Sequence, residues 1–189
     1  MDQITTRNVT LSGLRDIMLD RYAGDNDTEL SPKDKLYLAK DGESLVLPVG
    51  NLLSFLSAEN TKSCVNMFGS KGWRDVAAAI KSCVVIEPDP VPILYANGKP
   101  RKFTGFEDDG VYLHHAVAKI KKSASVAVPN PKTRPVIRMP WQLKFELQFM
   151  QNEYIQETTL KQYFEKGGVF VGLGTYRPVF GKFEITEWK

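Results

Sequence analysis

Hydrophobic and polar residues alternate most strictly in the C-terminal quarter, where Trp141, Leu143, Phe145, Leu147 and Phe149 interleave with Gln142, Lys144, Glu146 and Gln148. A period of two sends every second side chain to one face, so this stretch predicts a strand buried on one side. Sheet aromatics can serve as stacking platforms for bases, but a face this uniformly apolar predicts core for Trp141, Phe145 and Phe149. Next, Thr159-Leu160-Lys161-Gln162 has the spacing of a capping box, Leu160, Tyr163 and Phe164 share a helical face, and Gly167 reads as a left-handed stop. Gly167 to Ile185 then reads as a glycine-rich hydrophobic strand, an Arg177-Pro178 turn and a final strand, so that the turn joins the last two strands.

Upstream, Lys35–Lys40 and Glu43–Pro48 alternate around Asp41-Gly42, which predicts a β-hairpin with a tight primed turn. After Pro48 the spacing lengthens: Leu52, Leu53, Phe55 and Leu56, then Val65, Met67 and Phe68, predict a helix with one interruption. Trp73, Val76, Ala77 and Ile80 form another helical face, which passes into the β-branched run Cys83–Ile86 and a proline-rich turn at 87–90. Asn97-Gly98 predicts a second hairpin, between 92–95 and 102–103. Tyr112 to Val128 alternates weakly, and Val126–Pro131 reads as an extended segment leaving the core.

These elements in this order predict an α+β fold in which helices cover one face of an antiparallel sheet. With 189 residues and 42% hydrophobic content, the chain is expected to form one domain over 1–189, with an insertion around 87–138. Two cysteines, Cys64 and Cys83, and two histidines support neither a disulfide framework nor a zinc site, and no cofactor is called for. No apolar run is long enough to span a membrane and the first residues lack the core of a signal peptide, so a cytoplasmic protein with no membrane partner is expected.

A net charge of +3 does not by itself announce a polyanionic partner, but the distribution is uneven. Between Val111 and Lys144 the chain carries Lys119, Lys121, Lys122, Lys132, Arg134, Arg138 and Lys144 and no acidic residue. As a projecting hairpin such a stretch would lie along a phosphate backbone; as a solvated loop it would be ordinary surface. The adjacent His114 and His115 point to opposite faces of a strand and cannot share a metal or a proton, so a ribonuclease using one of them as base is the weakest of three functional readings. Asp108-Asp109 and Asp25-Asn26-Asp27 are carboxylate clusters in turn-like settings where Asp is expected without a metal. No nucleophile elbow, phosphate loop, dinucleotide fingerprint or zinc-binding helix is present, so nothing points to an enzyme.

The glycines of 167–181 imply close approach of the backbone to something, either a polyanion held on N–H groups or a neighbouring part of the fold. Tyr176, beside Arg177 in that turn, is the best-placed aromatic for stacking on a base, or else packs on the sheet. The pattern carried by Gly172, Gly174, Arg177, Gly181 and Phe183 resembles the C-terminal glycine-rich loop of the RAMP superfamily, the RRM-like proteins of CRISPR effector backbones and guide-RNA processing. Val46–Leu56 is similar to the proline-led strand-to-helix passage of the superfamily's backbone members, and the Arg-Pro-x-Phe-Gly ending also resembles that of small phage-borne proteins. The resemblance implies a ferredoxin-like or RRM-like sheet with an inserted basic hairpin, contact with RNA or single-stranded DNA, and a phage or defence-related setting. On this reading Lys119, Lys121, Lys122, Lys132, Arg134 and Arg138 clamp the strand, while Gly172, Gly174, Tyr176, Arg177 and Lys182 cradle it. The second reading is a protein-interaction component of a homo-oligomer or protein complex that does not bind nucleic acid.

Overall fold

The computed structural model describes residues 4–25, 28–59, 62–69, 72–107, 110–121 and 127–189, with only the backbone described at 118–121 and 127–128. The main sheet is built on β1 (Ile4–Gly13) and β8 (Gln142–Met150), paired antiparallel along their whole lengths. The strict alternation of β8 has the expected result: Leu143, Phe145, Leu147 and Phe149 are buried, as is Trp141 just before the strand. Burying each such side chain contributes roughly 1.5–3 kcal/mol.

On the far side of β1 lies β9 (Phe183–Trp188), and on the far side of β8 lie β4 (Val84–Glu87) and β5 (Val91–Leu94) end to end, all antiparallel to their neighbours. β3 (Val46–Leu47) extends the sheet beyond β5. Between β1 and β4 run α1 (Val49–Ser57), α2 (Cys64–Phe68) and α3 (Trp73–Cys83), and between β8 and β9 runs α4 (Glu157–Phe170). Strand, helices, strand, strand, helix, strand, in the spatial order β9-β1-β8-β4, is the ferredoxin-like arrangement of two interleaved split βαβ units. α1 packs against the other three helices, and Phe55, Phe164 and Phe183 meet where helices and sheet join, with ring centroids 5.3 to 5.7 Å apart.

A separate sheet carries the projecting part. β6 (Val111–Lys121) and β7 (Ala127–Ile137) form a long antiparallel hairpin, and the short β2 (Ile17–Met18) pairs with the base of β7. The stretch 127–131 is therefore the start of a ladder strand.

Several local expectations are corrected. The glycine-rich segment contains no strand before β9: α4 continues through Gly167 and Gly168 to Phe170, and an irregular loop at 171–182 joins that helix to the last strand. A Cβ at Gly167 would lie 2.3 Å from Cys64 Sγ, and one at Gly168 2.4 Å from the Phe183 carbonyl, so these glycines let the helix sit against α1, α2 and β9. The left-handed stop is Gly172, with φ +75°, whose N–H donates to the Gly167 carbonyl at 2.8 Å. The capping box at Thr159 does not form: α4 starts at Glu157, after Gln156, which gives no side-chain cap. Its first turn is fixed instead by Glu157, which accepts from Arg7 of β1 at 2.6 and 2.8 Å and from Trp188 Nε1 of β9 at 3.0 Å. The Asp41-Gly42 turn forms, but its flanks share a single bridge, Leu38 to Leu45, closed by the Ala39 N–H to the Ser44 carbonyl at 2.8 Å and the Val46 N–H to the Tyr37 carbonyl at 3.0 Å, while Val46 and Leu47 also pair with β5.

Candidate nucleic-acid interface

The sheet has two unlike faces. The register that buries Val9 and Leu11 opposite Phe145 and Leu143 turns Asn8, Thr10, Ser12, Gln142, Lys144, Glu146 and Gln148 to the side away from the helices. Glu87 and Val85 of β4 join them, as do Glu184 and Glu187 of β9 opposite Ser12 and Thr10. On this open face the glutamates outnumber the lysines, and several polar groups bond one another: Thr10 donates to Glu187 at 3.0 Å, and Gln142 to Ser12 at 3.0 Å. No base-stacking aromatic lies among the residues just named, and a strand of phosphates would meet Glu87, Glu146, Glu184 and Glu187 there.

Cations and exposed rings collect elsewhere, where segment 13–20 links the main sheet, the glycine-rich loop and the hairpin. The loop is stitched to that segment by backbone bonds. Gly181 donates to the Asp16 carbonyl at 2.7 Å, Thr175 to the Met18 carbonyl at 2.9 Å, and Leu14 to the Lys182 carbonyl at 2.7 Å. This is what the glycines approach. A Cβ at Gly174 would stand 2.3 Å from the Met18 carbonyl, and one at Gly181 1.9 Å from the Leu173 carbonyl, with both residues at positive φ.

Asp16 ties the hairpin base to the same place. Its carboxylate accepts from Tyr112 Oη at 3.1 Å and from the Met139 N–H at 2.9 Å. Burial, then the hydrogen bond to Asp16, pushes the Tyr112 phenol above its ordinary pKa. Arg101 completes the joint. Only 2% exposed, it donates to the carbonyls of Arg138, Pro140 and Gly110 and lies over the Tyr95 ring at 4.7 Å. Burial lowers its pKa from the ordinary arginine value. Nothing in the local sequence marks Arg101 for this task, because its partners come from residues folded back from 110 and 138–140.

The expected site residues separate into groups. Arg134 is ion-paired to Asp20 at 2.6 Å, Lys132 to Glu29 at 3.6 Å, and the Arg138 guanidinium lies over the Tyr112 ring at 4.6 Å. These cations belong to the inner half of the hairpin. Lys119 and Lys121 occupy its outer half, opposite Pro129 and Ala127, and Lys122 lies outside the described residues. Lys144 is on the open sheet face. Gly172 is buried and accepts from Arg177 Nη1 at 3.4 Å, Gly174 is half-buried, and Lys182 is half-buried with its carbonyl engaged. Tyr176 is 53% exposed, and Arg177 is half-buried with its pKa lowered by that burial.

His114 and His115 diverge as strand neighbours should. The His114 ring packs with Phe180 at 5.3 Å and Tyr176 at 6.3 Å, so the hairpin and the glycine-rich loop meet through aromatic rings, while His115 Nδ1 is 2.9 Å from Thr133 Oγ1. Among the described residues no group of three or more histidines, cysteines or carboxylates is placed to hold a metal ion. Asp25 bonds the backbone and hydroxyl of Thr28, whereas Asn26, Asp27, Asp108 and Asp109 lie outside the described residues. Among the described residues no helix is long and apolar enough to cross a membrane.

No protein-family model matches the chain, and no curated protein matches it in sequence. In three dimensions it is similar to a chain of the cryo-EM structure of the type III-B Cmr-β bound to cognate target RNA, with a TM-score of 0.52 at 12% identity. The match covers 99% of this chain and 60% of that one, so this chain spans about three-fifths of the length of the chain it matches. At that identity the likeness is one of fold.

Proposed function

We propose that this chain is a non-catalytic RNA-binding component of a defence-related assembly of the RAMP type, and that it holds the strand along the glycine-rich loop and the basic hairpin. The observation that carries the reading is the junction itself. The fold joins the loop bearing Tyr176 and Arg177 to the base of the hairpin bearing Lys132, Arg134 and Arg138, and leaves the open sheet face glutamate-rich. The fold likeness to a chain of an RNA-bound type III-B structure agrees with it. Most of the affinity would then come from phosphate contacts, which position a strand without reading its sequence.

A filter-binding titration with single-stranded RNA and DNA tests the proposal. Binding is expected to weaken with salt, with a slope of about −0.7 per phosphate contact. Absence of binding to either strand at low salt would refute it. A second reading, an assembly component that does not touch nucleic acid, draws on Val179 at the loop surface, 61% exposed. Size-exclusion chromatography with light scattering separates the two, because an oligomer indifferent to salt and to RNA fits only the second.

A further inference from the structure

The end of α4 and the glycine-rich loop border an open cleft of about 330 Å3, with Lys62, Phe170, Val171, Tyr176, Arg177 and Pro178 among its lining residues. Phe170 is 60% and Tyr176 53% exposed, so two large rings border the cavity without being consumed by the core. Tyr176 is held at φ +55°, a conformation uncommon for a residue with a Cβ, and strain of this kind gathers at binding sites. His114 and Phe180 support its ring, with centroids 6.3 and 6.1 Å away. Beside the rings are two cations. Arg177 is anchored to the Gly172 carbonyl and half-buried, so its guanidinium surrenders less water to a ligand than an exposed one would; Lys62 supplies a second positive charge.

Exposed rings would be wasted on inorganic phosphate, and paired cations on an apolar side chain. A planar group bearing a phosphate uses both, and the volume is at the lower end of small-molecule sites, the right scale for one nucleotide. We infer that this cavity holds a single nucleotide of the bound strand, its base against Tyr176 and Phe170 and its phosphate on Arg177 and Lys62. The inference rests on the RNA-binding reading and adds contact with a base to phosphate contacts that are otherwise blind to the bases.

The test uses adenosine and uridine monophosphates, with ribose 5-phosphate as control, in saturation-transfer NMR on the full chain, beside the RNA titration. Transfer to base protons is expected, with affinity at least tenfold above that of ribose 5-phosphate. Tyr176→Asn, which tolerates the left-handed backbone, should abolish that advantage, and Tyr176→Phe should restore it. Tyr176→Phe keeps the ring contacts to His114 and Phe180 and should melt as the parent does, whereas Tyr176→Asn loses them, so Phe170→Ala serves as the second variant that leaves those contacts in place. If RNA binds but neither mononucleotide gives transfer, or if the advantage survives in Tyr176→Asn and in Phe170→Ala, the inference is overturned while the RNA-binding reading stands. If the mononucleotides bind as described and RNA does not, the RNA-binding reading falls, and with it the inference that the nucleotide belongs to a bound strand. If neither binds, both fall.

Discussion

The open face of the main sheet and the junction of loop and hairpin differ both in their residues and in what the fold asks of them. On the open face, side chains of neighbouring strand positions bond one another, Thr10 with Glu187, Gln142 with Ser12 and Gln148 with Glu146. Any small polar residue would serve at most of these positions. At the junction the backbone itself is packed: Gly174 and Gly181 touch neighbouring carbonyls, Asp16 bonds both hairpin and loop, and Arg101 gathers three carbonyls. The junction is the more specified of the two regions, and the exposed Tyr176 and the loop carrying it depend on that specification.

The comparison breaks or sharpens most through Gly181. Gly181→Ala should cost roughly 3 kcal/mol, since its Cβ meets a carbonyl at 1.9 Å at positive φ, whereas Thr186→Ala, at an exposed β9 position whose hydroxyl lies 3.0 Å from that of Ser12, should stay within about 0.5 kcal/mol. Chemical denaturation of both variants checks this, and equal losses would remove the contrast. Arg101→Met comes next. It should lower stability by roughly 2–3 kcal/mol, because the carbonyls of Gly110, Arg138 and Pro140 lose a buried donor, and hydrogen exchange should rise at the base of β6 and β7 before it rises in β8.

A smaller effect concerns binding. Arg177→Gln should weaken RNA about tenfold, near 1.4 kcal/mol, while Lys144→Gln should change it less than about twofold. A loss at Lys144 equal to that at Arg177 would place the strand on the wrong face. The smallest effect is on acid stability. Hydrogen bonds from Arg7 and Trp188 hold the Glu157 carboxyl below its ordinary value of 4.5, so the folded protein binds this proton less readily than the unfolded chain. That contribution is whole above the ordinary value and is lost as the pH falls through the depressed one. Glu157→Gln should therefore lower the neutral plateau by that contribution and flatten the acid limb below about pH 4.5, so that variant and parent converge in acid, as measured by melts across pH.

The strand at 142–150 and the helices at 49–57, 64–68 and 73–83 were legible because a local period states which side will be buried. The first part of the segment 167–185 does not form the expected strand, because Val169, Phe170 and Val171 between glycines fit either period, whereas the expected final strand forms at 183–188. Helix was decided by Cys64 and Phe55, far away in sequence, which leave no room for a Cβ at 167. Tyr176 and Arg177 were legible as candidates from the glycines around them. Phe170 and Lys62 were not, since only the fold places the end of α4 and the residue ahead of the α2 N-cap Ser63 at one cavity.

The sequence by itself determined the α+β character, the buried face of β8 and the hairpin's excess of cations, because burial period and charge are properties of neighbouring residues. Tertiary structure alone decided that the glycines approach the protein's own carbonyls, that Arg101 fastens the hairpin, and that His114 of the hairpin meets Phe180 of the loop. Each of these is a contact between segments distant along the chain, and no local pattern encodes which carbonyl a donor will meet once the sheet and helices have closed.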